Sequence, residues 1–321
     1  MSKATDRQPH DARETPARAP TDLPTRSWLE ALKRAAQEFR EDDLTLLAGA
    51  LAYYGVLALF PALLVLISVL GLIGPSATQP LIDNLGTLTP GPARDVLIDA
   101  VRNIQTGTGA AGFGFVAGLL AALWSGSGYV GAFMKASNVI FEVEEGRPFW
   151  KLRPLQIAVT VLLVVLTALI SLAIVVTGPL AEKVGDVVGL GDTAVTVWGI
   201  AKWPVIALVV SQIIAFLYWV APNVRQPGYR WITPGGLVAV VLWVIASAAF
   251  AFYVANFGNY NKTYGSVTGL IVFLIWLWIT NVVILLGAEI NAELERGRQI
   301  EAGHPRDVEP FLPPREPWED K

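Results

Sequence analysis

The densest acidic set of this sequence lies in a short polar stretch between two long apolar segments. It consists of Glu142, Glu144 and Glu145, and the cations Arg147, Lys151 and Arg153 follow it. Clustered carboxylates can bind a cation or gate the entry to a helical bundle, whereas carboxylates in a solvated loop usually pair with neighbouring cations. Because the cations are so close in sequence, we favour structural pairing for this loop.

A second set of polar residues lies where the last apolar segment ends. Glu289, Asn291 and Glu293 occur at i, i+2 and i+4, so the two carboxylates share one face of a helix. An ionisable group at a membrane boundary can mark a substrate path, or it can lie among lipid headgroups or pair with Lys151 or Arg153. We favour the location among headgroups or the pairing over a substrate path. We nevertheless keep Glu289 and Asn291 as candidate residues of such a path.

Polar and aromatic residues within or between the apolar segments are further candidates. The turn from Asn256 to Gly265 has more polar side chains than a connection requires, although asparagine, glycine and tyrosine also suit a tight turn at a membrane interface. Pro61 would kink a helix, and the small residues around Ser125 would either break a helix or permit close packing. The candidates for a substrate path are Tyr53, Tyr54, Pro61, Ser125, Ser127, Asn256, Asn259, Tyr260, Tyr264, Glu289 and Asn291.

Residue types that metal sites and nucleases require are scarce in this chain. It has no cysteine, and its two histidines, His10 and His304, lie in polar tails. We therefore predict no catalytic site, no bound metal and no cofactor. A net charge of −3 gives no basic field for nucleic acid. No phosphate-binding P-loop is present in the sequence, so any transport would be passive, ion-coupled or dependent on a partner.

Long charge-free segments predict an all-α, polytopic membrane protein with six transmembrane helices. Only 16% of the residues are charged, 53% are hydrophobic and the mean hydropathy is +0.49. A helix of about 20 residues crosses a hydrocarbon core of about 30 Å. The charge-free segments are 44–82, 103–134, 154–181, 203–224, 231–261 and 263–288. Within them we place helices near 46–73, 113–135, 155–177, 202–221, 234–256 and 266–288.

Additional amphipathic helices are predicted at the membrane interfaces. A helix that begins near Ser27 places Trp28, Leu32 and Phe39 on one face, and it either lies on the membrane or covers one end of the bundle. The outer loop from about Pro75 to Gly112 has two periodic runs, which either lie along the interface or fold back into the bundle. The predicted domain organisation is a membrane domain at 27–296 between disordered cytoplasmic tails at 1–26 and 297–321.

The distribution of lysine and arginine predicts the orientation of the helices. With the N-terminus in the cytoplasm, 19 of these residues lie inside and 5 lie outside. Cytoplasmic segments of membrane proteins carry the excess of positive charge. Both termini are therefore predicted to be cytoplasmic.

Several short blocks of residues lie in order along the predicted spans and the turns between them. They include Leu51-Ala-Tyr-Tyr-Gly-Val-Leu-Ala-Leu-Phe-Pro61, Trp124-Ser-Gly-Ser-Gly128, Glu145-Gly-Arg-Pro-Phe149, Asn256-Phe-Gly258 and Gly287-Ala-Glu-Ile-Asn291. Together these blocks resemble the YihY/virulence factor BrkB family of bacterial inner-membrane proteins. The resemblance covers roughly residues 28 to 296, and several blocks in matching order are more specific than any one of them.

The resemblance implies a multi-pass protein of the bacterial cytoplasmic (inner) membrane. Family members have carried the label ribonuclease BN, and some have been connected with serum resistance and with movement of lipid or lipopolysaccharide. We expect a transporter- or flippase-like protein for an envelope lipid or another amphiphile. The alternative is a structural or scaffold membrane protein, and a membrane-bound ribonuclease is least favoured. The expected partners are membrane lipids, with either a second copy of the chain or envelope proteins, and no nucleic acid.

Overall fold

The computed structural model describes residues 25–73, 109–188, 191–226, 228, 233–256, 268–305 and 308–318, and these residues form helices. The all-α prediction is therefore confirmed for this part of the chain. The helices are α1 Thr25–Glu41, α2 Leu44–Ile73, α3 Gly109–Ile140, α4 Phe149–Val188, α5 Gly191–Val220, α6 Thr233–Asn256 and α7 Thr268–Glu301. Residues 1–24 of the predicted tail 1–26, and residues 75–108 of the predicted outer loop 75–112, lie outside the described residues.

Four of the described helices are long and apolar enough to cross a membrane. The apolar stretches are Phe149–Thr167 in α4, Gly199–Val220 in α5, Pro234–Asn256 in α6 and Gly269–Glu301 in α7. They coincide with four of the predicted spans. The other two predicted spans, 46–73 and 113–135, fall within helices α2 and α3. A total of six membrane spans stays a prediction.

Helix α4 begins earlier than the sequence predicts, at Phe149 rather than near residue 155. The carbonyl of Pro148 accepts hydrogen bonds of 2.9 Å from the N–H groups of Lys151 and Leu152. Proline suits the start of a helix, because its fixed φ matches the helix and its missing N–H would have no helical acceptor there. Lys151 and Arg153 consequently lie on the first turns of α4.

The most tightly packed end of the bundle contains the start of α2 and the C-terminal parts of α3, α5 and α7. Leu44, Phe133 and Leu285 are each 0% exposed in its hydrophobic core. Helices α6 and α7 approach so closely that a β-carbon at Gly235 would lie 2.2 Å from the carbonyl oxygen of Gly287. A larger residue at position 235 would push the two helices apart.

Helix α1 packs along the C-terminal part of α7. Ala31 and Ala35 are each 1% exposed, and they form a small apolar cluster with Ile290 and Leu294. Of the two interpretations of this amphipathic helix, the packing favours the one in which it covers an end of the bundle. Leu32 was expected on the contact face and is 42% exposed.

Residues 308–318 fold back onto the bundle, whereas the sequence predicts a disordered tail from residue 297. Helix α7 continues to Glu301, and Phe311 and Leu312 are 5% and 3% exposed within the main core. The Phe311 ring lies 5.9 Å from that of Phe141, measured between centroids. Burial of these two large apolar side chains offsets part of the entropy lost on ordering the segment. Prolines and charged residues surround Phe311 and Leu312 in the sequence, so the average composition of the segment does not reveal these two buried side chains.

Candidate functional site

Part of the predicted substrate path lies outside the described residues. Asn256 ends α6, and its Nδ2 donates to the carbonyl of Phe252 at 2.8 Å, a bond within its own helix. Pro61 is part of helix α2, but its side chain is not among the described parts of the structure. The residues that cannot be placed are Asn259, Tyr260 and Tyr264. This part of the path stays a prediction.

Another group of predicted path residues meets where α2 and α3 are in contact. Tyr54 packs on Gly128, because a β-carbon added to Gly128 would lie 3.0 Å from the Tyr54 ring. Tyr53 lies edge-on to Tyr54, with 5.4 Å between ring centroids. Ser127 is 0% exposed, whereas Ser125 faces outward. The structure thus brings Tyr54 and Ser127 to neighbouring positions and separates Ser125 from them.

Arg153 of α4 joins this group, although one interpretation of the sequence pairs it with an acid. Its Nη2 donates to the carbonyl of Trp124 at 2.9 Å, and its Nη1 donates to Oε1 of Gln156 at 3.0 Å. Its guanidinium lies over the Trp124 ring, 4.0 Å from the centroid. Among the described residues Arg153 has no ion pair, and its buried Nε has no hydrogen-bond partner.

We call Tyr54, Trp124, Ser127, Arg153 and Gln156 the arginine patch. The carbonyl of Trp124 accepts a second hydrogen bond, from Oγ of Ser127 at 2.7 Å, so it orients both polar neighbours. Trp124 is 54% exposed and Tyr54 is 36% exposed. The patch therefore lies on the outside of the helical bundle. The sequence analysis assigned Arg153 to an ion pair and did not single out Gln156, which lies within a charge-free segment.

The acids of the loop between α3 and α4 separate in the structure. Both carboxylate oxygens of Glu145 accept hydrogen bonds from Arg147, at 2.7 Å from Nε and 2.6 Å from Nη2. Arg147 also donates to the carbonyl of Ala221 at 2.8 Å. Burial alone would raise the pKa of Glu145, but the hydrogen bonds and charge of Arg147 outweigh burial and hold it below its usual value. These contacts agree with structural pairing of Glu145, while Glu144 is exposed.

Asn223 links this loop to the C-terminal segment, and the sequence analysis did not single it out. Its Nδ2 donates to the carbonyls of Glu144 and Glu316, at 3.0 Å and 2.8 Å. Its backbone N–H donates to Oδ1 of Asn138 at 2.8 Å. Asn223 is 0% exposed, so these bonds satisfy polar groups that water does not reach. We call Asn138, Glu145, Arg147 and Asn223 the loop clamp.

One interpretation of the sequence pairs the acids at the end of α7 with Lys151 or Arg153. The described ion pairs of these acids are with other arginines. Glu293 accepts hydrogen bonds from Arg34 of α1 and from Arg296, the latter at 3.2 Å. Lys151 instead forms its ion pair with the C-terminal segment. Arg34 and Glu293 are 259 residues apart in sequence, so only the packing of α1 on α7 reveals the pair.

Asn291 has a structural contact at the start of α6. Its Oδ1 accepts a hydrogen bond of 2.8 Å from the N–H of Gly235. The first N–H groups of a helix have no partner within the helix, so a side-chain oxygen there stabilises the helix start. The environment of Glu289 differs from that of Asn291. Glu289 is 1% exposed, and its Oε2 has no hydrogen-bond partner among the described residues.

An acidic cluster surrounds Glu289 at this end of the bundle. Arg296 is its central cation and lies 3.1 Å from Glu38, 3.2 Å from Glu293 and 3.6 Å from Glu142. We define the acidic cluster as Glu38, Asp42, Glu142, Glu289, Glu293 and Glu309 with Arg34 and Arg296. Within the described residues, no three acidic, histidine or cysteine side chains are arranged to hold a metal ion.

Burial dominates the protonation behaviour of the acids at the edge of the cluster. Burial and, after it, the negative charges of Glu38 and Glu41 together raise the pKa of Asp42 to about 6, while the charge of Arg296 opposes them. Burial also raises the pKa of Glu142. Asp42 therefore exchanges a proton close to neutral pH.

The family of the chain is shown by its sequence. The sequence model of the family described as Virulence factor BrkB matches residues 35–310. The chain belongs to this family. Its resemblance to BrkB proteins is thereby confirmed, and with four long apolar helices in the described residues it is a multi-pass membrane protein.

Curated relatives of this BrkB-family protein align with most of its length or with a part of it. A ribonuclease-like protein, YfkH, of Bacillus subtilis is 34% identical over 80% of this chain and 92% of its own length. A UPF0761 membrane protein of Alkalilimnicola ehrlichii is 30% identical over 85% of this chain and 60% of its own length. A UPF0761 membrane protein of Tolumonas auensis is 39% identical over 25% of this chain and 26% of its own length. No solved structure matches the chain.

Proposed function

We propose that this BrkB-family protein moves an anionic lipid, or another anionic amphiphile, across the bacterial cytoplasmic membrane, with both of its termini in the cytoplasm. The supporting observation is the arginine patch. Arg153 has no acidic partner among the described residues and lies beside Trp124, which is 54% exposed. A guanidinium offers paired donors to a phosphate, and tryptophan and tyrosine suit the boundary between headgroups and acyl chains.

Each side chain of the patch has a part in this proposal. Arg153 is partly exposed and binds the anionic headgroup with its positive charge. Gln156 and the carbonyl of Trp124 hold its Nη1 and Nη2, so the guanidinium plane is fixed before the lipid arrives. The exposed ring of Trp124 and the ring of Tyr54 contact the apolar part of the amphiphile. Membrane lipids are thus the principal partners.

Lipid movement in vesicles that contain only the purified protein tests this function. Phosphatidylglycerol with a fluorescent headgroup is distributed over both leaflets, and a quencher is added outside. We expect the protein to accelerate loss of the protected inner-leaflet signal. Arg153→Gln should slow that loss about tenfold, because a hydrogen bond to a charged group contributes about 1.5 kcal/mol or more.

A matched arginine serves as the control. Arg26 is exposed and pairs with Glu30 on the same helix, so Arg26→Gln removes the same charge without touching the patch. We expect wild-type lipid movement in this variant. If folded wild-type protein gave no acceleration over protein-free vesicles, lipid movement would be refuted and the scaffold role would take its place.

We also propose that the protein has no enzymatic site, despite the ribonuclease-like name of its Bacillus subtilis relative. Phosphodiester cleavage usually needs clustered metal ligands or a histidine pair. The described acids lie around arginines. The two histidines of the chain, His10 and His304, are far apart in sequence. RNA incubated with stringently purified protein should stay intact. Cleavage that disappeared when Glu142, Glu144 and Glu145 were replaced by glutamine would contradict this proposal.

A further inference from the structure

Glu289 is an exception among the buried acids of α7. Glu293 is 2% exposed and pairs with two arginines, and Glu295 is 3% exposed and pairs with Arg298. Glu289 is 1% exposed, and none of the ion pairs among the described residues includes it. Its Oε2 also has no hydrogen-bond partner in that part of the chain.

The groups that face Glu289 are predominantly acidic. Asp42, in the turn between α1 and α2, acts on it most strongly, and the other carboxylates are Glu38, Glu142 and Glu293. Helices α2 and α6 have no charged residue, and the single charged residue of α3, Lys135, is exposed. The nearby cations are Arg34 and Arg296, and they donate to other carboxylates of the cluster, those of Glu38, Glu293 and Glu309. Arg34 also donates to the backbone carbonyl of Glu293.

A carboxylate in this position would be costly. Burial of an ionised carboxyl without a cation or hydrogen-bond donors costs several kcal/mol, and such a group usually binds a proton instead. Negative neighbours add to the cost of the ionised form. The arrangement therefore favours a neutral, protonated Glu289 in the resting protein.

We propose that Glu289 is a proton-binding site, which exchanges its proton with the aqueous phase and whose proton affinity depends on the charge of Asp42. Asp42 is half-buried in the turn before α2, so it lies between the bundle interior and water. Glu289 itself lies on α7, the helix that also contacts α1, α2 and α6, so a change in its charge acts on the packing of several helices. The site does not depend on lipid movement, and it would supply the coupling ion if transport is proton-driven.

Infrared spectroscopy of the protein in lipid vesicles tests the site directly. A protonated carboxyl has a carbonyl stretching band that a carboxylate lacks. We expect this band at neutral pH in the wild type and a clear reduction of it in Glu289→Gln, where Glu142 still contributes. The band should be unchanged in the control Glu30→Gln, whose carboxylate lies on α1 and pairs with Arg26. A band of unchanged intensity in folded Glu289→Gln, or no such band in the wild type, would overturn the proposal.

Asp42→Asn provides a second test that leaves Glu289 in place. Removal of a negative neighbour makes the ionised form of Glu289 less unfavourable, so the band should vanish at a lower pH than in the wild type, by about one pH unit. The readout is the pH at which half of the band is lost. If the band of the folded variant titrated at the wild-type pH, the proposed influence of Asp42 on Glu289 would be refuted. Neither measurement uses lipid transport, so its failure is separate from failure of the proposed function.

Discussion

The arginine patch and the acidic cluster have opposite charge imbalances and opposite exposure. In the patch, Arg153 has no acid among the described residues and lies beside an exposed Trp124. In the cluster, six carboxyl groups share two arginines, and Glu289 is 1% exposed. A cation near the surface can take its counterion from outside the protein, whereas a buried carboxyl must find a cation or a proton inside. We infer from this difference that the patch suits an anionic amphiphile and the cluster suits a proton.

The loop clamp shows what a balanced polar region of the same protein is like. Glu145 and Arg147 satisfy each other, and Asn223 connects them to the C-terminal segment. Its buried polar groups resemble those of a structural network, in which removal of one partner leaves another unsatisfied. Substitutions in the three regions should therefore have different effects. Those in the loop clamp should reduce stability, those in the arginine patch should slow lipid movement, and those in the acidic cluster should change how stability depends on pH.

Arg147→Leu should produce the largest loss of stability. It leaves the carboxylate of Glu145 and a buried carbonyl without their donor, and loss of one partner from a buried ion pair costs about 3–5 kcal/mol. Unfolding in detergent, followed by circular dichroism, measures the change. The control Lys151→Ala breaks an ion pair whose lysine side chain is 57% exposed and should cost less than about 1 kcal/mol. Equal losses in the two variants would abolish the distinction between clamp and surface.

Phe311→Ala should cost about 3 kcal/mol, because it removes a buried aromatic ring from the core. The side chain is 5% exposed and lies near Arg296, 5.7 Å from guanidinium to ring centroid. Loosening of the C-terminal segment should also hydrate the acidic cluster and weaken the infrared band of protonated Glu289. Val308 is 48% exposed, so Val308→Ala is the matched control. Wild-type stability of Phe311→Ala would show that residues 308–318 do not stabilise the bundle.

Arg153→Lys sharpens the role of the patch. Lysine keeps the charge but lacks the planar group that stacks on Trp124 and donates to two acceptors at once. We expect a smaller loss of lipid movement than in Arg153→Gln, with little change in stability, since the side chain is partly exposed. The fluorescence assay described above measures the rate. If the lysine variant were as slow as the glutamine variant, geometry rather than charge would control binding.

Asp42→Asn should have a small effect on stability, and that effect should depend on pH. The pKa of Asp42 is about 6 in the folded protein against a reference value of 3.8, so the folded state holds this proton more tightly than the unfolded chain. Its stabilising contribution is complete below pH 3.8 and is lost as the pH rises through about 6. The variant should be more stable than the wild type by about 1 kcal/mol at pH 8 and by less at pH 5. A difference that stayed constant with pH would contradict the raised pKa.

Much of the local structure followed from the sequence alone. Charge-free stretches of sufficient length gave the positions of α5, α6 and α7 to within a few residues at most boundaries, because hydropathy and length are properties of a single segment. The start of α4 was misplaced, since Lys151 and Arg153 were treated as loop charges although Pro148 permits a helix to begin before them. Family membership also followed from ordered blocks of residues.

The candidate site was predicted less well, because its contacts join distant parts of the chain. Tyr54 and Ser127 were singled out and lie close together, yet Arg153, which gives the patch its charge, was assigned to an ion pair. Glu289 was kept as a candidate residue of a substrate path, which stays a prediction. The sequence could not show which arginines were already engaged by other acids.

The sequence by itself determined that this chain is an apolar, helical, membrane-inserted protein of the BrkB family, because composition and periodicity act along the chain. Only the tertiary structure decided how the charges are distributed among partners. Arg34 comes from the first described helix and meets Glu293 of the last, and Phe311 carries the C-terminal segment back to Phe141. Ion pairing and burial depend on three-dimensional proximity. The packing of α1 and of residues 308–318 therefore left Glu289 without a cation, and no local pattern could have shown it.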